Sequence, residues 1–89
     1  MSFELKFTPT AIKDIEDLKK SGDWLIPKRL LLLFEELAEH PRRGTGHPEE
    51  LKYQYAGYWS RGINLKHRFV YSINDETVTV IVVQAKGHY

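Results

Sequence analysis

The chain has no cysteine among its 89 residues, which removes disulfides, thiolate metal sites and a cysteine nucleophile and is compatible with a reducing compartment. Long apolar runs are missing as well. The longest, Leu30 to Phe34, falls far short of the about 20 residues that a membrane-spanning helix needs. The opening Met-Ser-Phe-Glu-Leu-Lys-Phe carries acid and base where a signal peptide would carry an apolar core. A soluble, cytoplasmic protein with no membrane partner is expected. Gly44-Thr45-Gly46 lacks the Gly-Lys-Ser/Thr ending of a phosphate-cradling P-loop, so nucleotide binding is not expected. The four histidines, His40, His47, His67 and His88, lack the regular spacing of a zinc site. Neither a metal nor another cofactor is therefore expected.

What is present is a short chain with nearly balanced charge. Its length predicts one domain, residues 1–89, with a real but modest core. Thirteen Lys and Arg stand against twelve Asp and Glu, but unevenly. Residues 1–39 hold six basic against eight acidic side chains, and residues 40–89 hold seven against four. A basic second half suits a polyanion such as RNA.

The pattern of apolar residues gives the elements. Phe3, Leu5 and Phe7 alternate with polar neighbours, as in a half-buried strand. Thr8-Pro9 then offers an N-cap and a first-turn proline to a helix carrying Ile12, Ile15 and Leu18, stopped by Ser21-Gly22. A second helix is expected from near Asp23 to His40, where Pro41 forbids continuation. Its wide stripe of Leu30, Leu31, Leu33, Phe34, Leu37 and Ala38 should pack between the first helix and a sheet, or serve an oligomer contact. Residues 42–48 read as a loop, Leu51 to Ala56 as a strand, and Tyr58 to Tyr71 as a β-hairpin reversing near Gly62 and Asn64-Leu65-Lys66. Alternation in the hairpin's second arm puts Arg68 and Val70 on one face and Phe69 and Tyr71 on the other. After a turn at Asn74-Asp75-Glu76, Thr77 to Ala85 is the most apolar strand, and unbroken Val80-Ile81-Val82-Val83 predicts cover on both faces. The fold class is thus α+β: two N-terminal helices packed on a small, mostly antiparallel sheet in the order β-α-α-β-β-β, with room for one further short strand.

Cleavage of RNA without a metal needs a base for the ribose 2′-OH, a cation for the charge on the phosphorane and an acid for the departing 5′-oxygen. The polar residues outside the helices include suitable candidates: Glu49, Glu50, Lys52, Arg61, Lys66, His67, Arg68, Lys86, His88 and Tyr89. Singly, each has an ordinary reading: Glu49 as a solvated carboxylate, Arg68 as a ladder charge, His88 as part of a loose terminus. Tyr53, Tyr55, Tyr58 and Trp59 are first of all sheet residues, although exposed rings among them can stack on bases.

Together the residues are more specific. Gly44-x-Gly46-x-Pro48-Glu49-x-Leu51-Lys52, then Gly57-x-Trp59-Ser60-Arg61-x-Ile63-Asn64-x-x-His67-Arg68-x-Val70-Tyr71, and a final Gly87-His88-Tyr89 resemble the YoeB/Txe branch of the RelE/ParE toxin superfamily. The likeness spans the domain and is sharpest from Gly44 onward. It implies a toxin of a type II toxin–antitoxin module that cuts mRNA in the ribosomal A site and is neutralised by a YefM/Phd-like antitoxin. By motif position it makes Glu49 the general base, Arg68 the transition-state stabiliser and His88 the general acid, with Tyr89 completing the site. Lys52, Arg61, Lys66, His67 and Lys86 are expected to contact or support phosphate. The implied products are a 2′,3′-cyclic phosphate and a 5′-hydroxyl, and a homodimer is compatible with the apolar surplus of the second helix. One position departs from the pattern: the family usually has Trp-Ser-Arg-Arg, and here Gly62 takes the place of the second arginine. The alternatives are a non-nuclease toxin of the ParE type acting on DNA gyrase, or a catalytically weakened RNA- or ribosome-binding module.

Overall fold

A computed structural model describes residues 2–87. Strand β1 (Glu4–Phe7) leads into helix α1 (Pro9–Lys19), and helix α2 (Ile26–Glu39) follows. The short strand β2 (Glu49–Glu50), β3 (Tyr58–Gly62), β4 (Arg68–Asn74) and β5 (Thr79–Gln84) complete the fold. One sheet contains all five in the order β1-β5-β4-β3-β2. The β1–β5 pair is parallel and every other pair is antiparallel, so the helices form the crossover that returns the chain to the sheet. No helix among the described residues is long and apolar enough to cross a membrane.

Thr8 joins the first helix to the sheet. Its hydroxyl oxygen accepts from the Ala11 amide at 3.1 Å and its proton goes to the Val83 carbonyl at 2.7 Å. The residue that caps α1 therefore also fixes where the helix leaves the strand. In α2, Leu30, Leu33 and Leu37 recur at three- and four-residue spacing and are buried. They meet Phe69, Tyr71, Val80 and Val82 from the sheet. Phe34 presents its ring to Phe7 and Phe69 with centroids 5.1 and 5.3 Å away, both near edge-to-face.

Four expectations change. The α2 helix begins at Ile26, because the Asp23 carboxylate accepts from the Leu25 amide at 3.0 Å and holds a turn ahead of it. Leu31 of the expected stripe does not pack on the sheet and is exposed, as is its neighbour Leu32, since only one stripe of a helix can reach the sheet. Residues 51–56 do not form a strand: β2 is over at Glu50, and Tyr53–Tyr55 make a single 3₁₀ turn with Tyr53 at a φ of 60°. With Glu50 paired to Trp59, those residues have to carry the reversal between β2 and β3, and their alternating tyrosines only imitate a strand. Finally, β5 is central but covered on one face alone. Val80 and Val82 are fully buried under the helices while Ile81 is 38% exposed on the other side.

Candidate active site

The helix-free face of the sheet collects the chemistry. Side chains of residues paired across antiparallel strands project to the same face. Glu49 pairs with Ser60, Ser60 with Val70, and Gly62 with Arg68. Glu49 and Arg68 are thus on one surface, and the buried rings of Phe69 and Tyr71 are on the other with the helices.

Arg68 is held from two sides. Its Nε donates to the Ser60 hydroxyl oxygen at 3.1 Å, and its Nη2 donates to the His47 carbonyl at 2.9 Å and, less closely, to the Ser60 carbonyl at 3.3 Å. Nη1 has no hydrogen-bond partner among the described residues. It lies over Gly62, where a Cβ would stand 3.1 Å from it. A guanidinium fixed by Nε and Nη2 with Nη1 open is pre-oriented for an anionic oxygen.

Close packing of two glycines brings the Glu49 segment to this position. The Gly62 amide donates to the Gly46 carbonyl at 2.6 Å. Gly46 has a φ of 85°, and a Cβ on it would come 2.5 Å from the Gly62 carbonyl oxygen, so only glycine allows the loop this near β3. His47 follows at a φ of 53° and aims its carbonyl at Arg68. Its imidazole Nε2 lies 3.9 Å from a Glu49 carboxylate oxygen, both side chains being well exposed. Water screens a contact of that length between exposed groups.

The chain's last described residues are pinned beside Arg68. The Arg68 amide donates to the Gly87 carbonyl at 2.9 Å, and the Gly87 amide donates to Nδ1 of His67 at 3.2 Å. Asp14 accepts from the Ala85 amide at 3.1 Å, and Asp17 accepts from Lys86 Nζ at 2.9 Å. Burial, then the charges of Lys66 and Lys86, push the His67 imidazole below its usual pKa, in keeping with a neutral ring whose Nδ1 accepts. Paired with Lys86, the Asp17 carboxyl is held below the usual carboxylate range and the ammonium is raised.

Of the expected site residues, the structure places Glu49 and Arg68 on one surface, while the His67 ring meets the amide of Gly87. Lys52 and Lys66 are exposed, and their ammonium groups have no partner among the described residues. His88 and Tyr89 lie outside the described residues. One expectation is corrected. Arg61 is not a surface phosphate contact: it is completely buried on the helix side, where it pairs with Glu36 at 2.9 Å and donates to the His40 and Arg43 carbonyls. Lys86 stays partly exposed and pairs with Asp17 of α1. Ser60 and His47 were not foreseen. For Ser60 the signal was available, because strand alternation places it on the face of Tyr58 and Gly62. For His47 only its position two residues before Glu49 could have pointed to it. Among the described residues no group of three or more His, Asp or Glu side chains is placed to hold a metal ion.

Comparison with known proteins bears on the fold and the family. A family model for the YoeB-like toxin of bacterial type II toxin–antitoxin systems matches residues 7–89. The toxin YoeB of Synechocystis sp. is 40% identical over 70 residues, 79% of each chain. A YoeB/ParE toxin from Agrobacterium tumefaciens superposes with a TM-score of 0.86 at 33% identity, covering 98% of this chain and 100% of that one. A YoeB dimer from Staphylococcus aureus gives a TM-score of 0.81 at 31% identity, with 98% of both chains covered. The YoeB–YefM complex from that organism gives 0.79 at 30% identity, again over 98% of both chains.

Proposed function

This chain belongs to the YoeB-like toxin family of bacterial type II toxin–antitoxin systems, and on that premise we propose that it is a ribosome-dependent endoribonuclease that cuts mRNA in the A site. The observation that carries the reading is the shared surface of Glu49 and Arg68, with the backbone of Gly87 bonded to that of Arg68. Glu49 takes the proton of a ribose 2′-OH, and the freed oxygen attacks the adjacent phosphorus. Arg68 faces the negative charge that builds on the non-bridging oxygens, with its open Nη1 toward them. The bond from phosphorus to the 5′-oxygen breaks, and that oxygen takes a proton from an acid, assigned by motif to His88. The products are a 2′,3′-cyclic phosphate and a 5′-hydroxyl, and the step needs no oxidant, reductant or metal. Lys52 and Lys66 attract the backbone phosphates. Only RNA supplies the internal nucleophile.

The partners in this reading are the ribosome, its mRNA and a YefM-like antitoxin, as in the S. aureus YoeB–YefM complex. A homodimer like that of the S. aureus YoeB belongs to the same proposal, as does action in the cytoplasm.

The test is primer extension on ribosome-bound mRNA after brief induction. Cuts within A-site codons are expected, and Glu49→Ala or Arg68→Ala should slow them by about 100-fold or more with circular dichroism unchanged. Growth arrest with intact mRNA and altered DNA supercoiling would point to the ParE type instead. Cutting by both variants at the unaltered rate would refute the residue assignment.

A further inference from the structure

The surface that carries Glu49 and Arg68 continues along the strands into a depression of about 260 Å³ lined by Gln54, Tyr55, Tyr58, Val70, Val83 and Gln84. Register places it relative to the guanidinium. Val70 is two residues beyond Arg68 on β4, opposite Ser60 on one side and Gln84 on the other. One strand repeat of about 6.6 Å therefore separates the floor of the depression from the arginine. Tyr58 is the same step away from Ser60, which accepts from Arg68 Nε.

The lining selects a class of ligand. None of the six residues is charged, so a phosphate would find no counter-ion there. Val70 and Val83 give an apolar floor, and Tyr58, 36% exposed, offers part of a ring. The amides of Gln54 and Gln84 have no side-chain hydrogen-bond partner among the described residues. Each amide presents one acceptor and a pair of donors. A neutral planar heterocycle with hydrogen-bonding groups on its edge satisfies all of these at once: its face stacks on a tyrosine and its edge meets an amide.

We infer that this depression is a nucleobase subsite, that it receives the base of a nucleotide next to the scissile phosphate, and that Gln54 and Gln84 set which base is preferred. This rests on the ribonuclease reading and adds to it the element that chooses the sequence. The neighbouring Glu49 and Arg68 act on ribose and phosphate, which every nucleotide shares, so they cannot discriminate bases.

The test uses ribosomes programmed with mRNAs in which each nucleotide around one cut is varied through all four bases, the rates being read by primer extension. The unaltered chain should favour one base at one position by about tenfold or more. In the double variant Gln54→Ala, Gln84→Ala, the rate on the favoured message should fall to that on the others, flattening the profile. Tyr58→Ala should weaken capture of every message, and Tyr58→Phe should restore it. A second measurement is independent of cutting. The side-chain amide NMR signals of Gln54 and Gln84 should shift on adding a 2′-deoxy trinucleotide that cannot be cut, and stay still with inorganic phosphate. A base profile unchanged in the double variant, or amide signals indifferent to the trinucleotide, overturns the subsite while the nuclease stands. An unaltered chain that cuts no RNA overturns both.

Discussion

The Nη1 of Arg61 donates to Oε1 of Glu36 at 2.9 Å, joining β3 to α2 through the interior of the protein. The same guanidinium donates to the carbonyls of His40 at 2.7 Å and Arg43 at 2.9 Å. Glu36 in turn accepts from the amide and hydroxyl of Thr45. Tyr71 adds a third tie, its hydroxyl donating to the Pro41 carbonyl at 2.6 Å. An interior charge thus fastens the loop that leads to His47 and Glu49 from its beginning to its end. Of the buried side-chain nitrogens and oxygens among the described residues, Arg61 Nε alone has no partner.

That arrangement predicts an asymmetry in stability. Glu36→Ala leaves a fully buried cation without its counter-ion and should cost about 3–5 kcal/mol. Arg61→Met leaves a carboxylate that is 31% exposed, which water can reach, and should cost less. Urea unfolding of the two variants decides the matter. Equal losses would mean that the pair's charges do not set the cost.

Ser60 is the second test. It is completely buried and its hydroxyl accepts from Arg68 Nε. Removing one charge-assisted bond while the His47 and Ser60 carbonyls still hold Nη2 should loosen the guanidinium without releasing it. Ser60→Ala should therefore slow mRNA cutting by about tenfold, much less than Arg68→Ala. A loss as large as that of the arginine variant would show that Ser60 has a role other than orienting Arg68.

Much of this was legible in the sequence, for a local reason. The Thr8-Pro9 cap, the β1 alternation and the Arg68/Phe69 split between faces each depend on residues within a few positions of one another, where the helical and strand periods act directly. Arg61 was misplaced because its partner Glu36 is 25 positions away and nothing local announces it. Yet its placement between Trp59 and Ile63, on the opposite phase from Ser60, already marked the helix side. Residues 51–56 failed for the reverse reason: their tyrosines alternate perfectly, but the antiparallel β2–β3 pairing leaves them only the turn. Lys86 went to Asp17, 69 positions earlier, a contact that depends on α1 and the end of β5 packing together.

Gly62 gives a third prediction. A Cβ there would stand 3.1 Å from Arg68 Nη1 and 3.2 Å from the Gly46 carbonyl oxygen. The guanidinium can swing aside, but the backbone of Gly46 is held by its hydrogen bond to the Gly62 amide. Gly62→Ala should leave the fold intact, shift Arg68 or the loop by a few tenths of an ångström, and slow cutting by about tenfold. Primer extension on one message measures it. An unchanged rate would mean that the guanidinium reaches its working position only after moving off Gly62.

The last prediction concerns pH. His67 accepts the Gly87 amide proton at Nδ1 and has its pKa lowered from 6.5 in the folded protein, first by burial, then by Lys66 and Lys86. A histidine whose folded pKa is below its unfolded value contributes stability in full above the unfolded value, and that contribution is lost as the pH falls through the window beneath 6.5. Protonation also turns Nδ1 from acceptor to donor, so it faces the Gly87 N–H with a like group and that bond is lost, while the Arg68 amide keeps its bond to the Gly87 carbonyl. The Gly87 amide NMR signal should accordingly titrate with a midpoint below 6.5. His67→Asn keeps an acceptor near the position of Nδ1 but cannot titrate, so in that variant the same signal should be flat and the fall in thermal midpoint on acidification smaller. A wild-type midpoint above 6.5 would reverse the sign: His67 would then be stabilised as the cation, and its Nδ1 could not be accepting from the Gly87 amide.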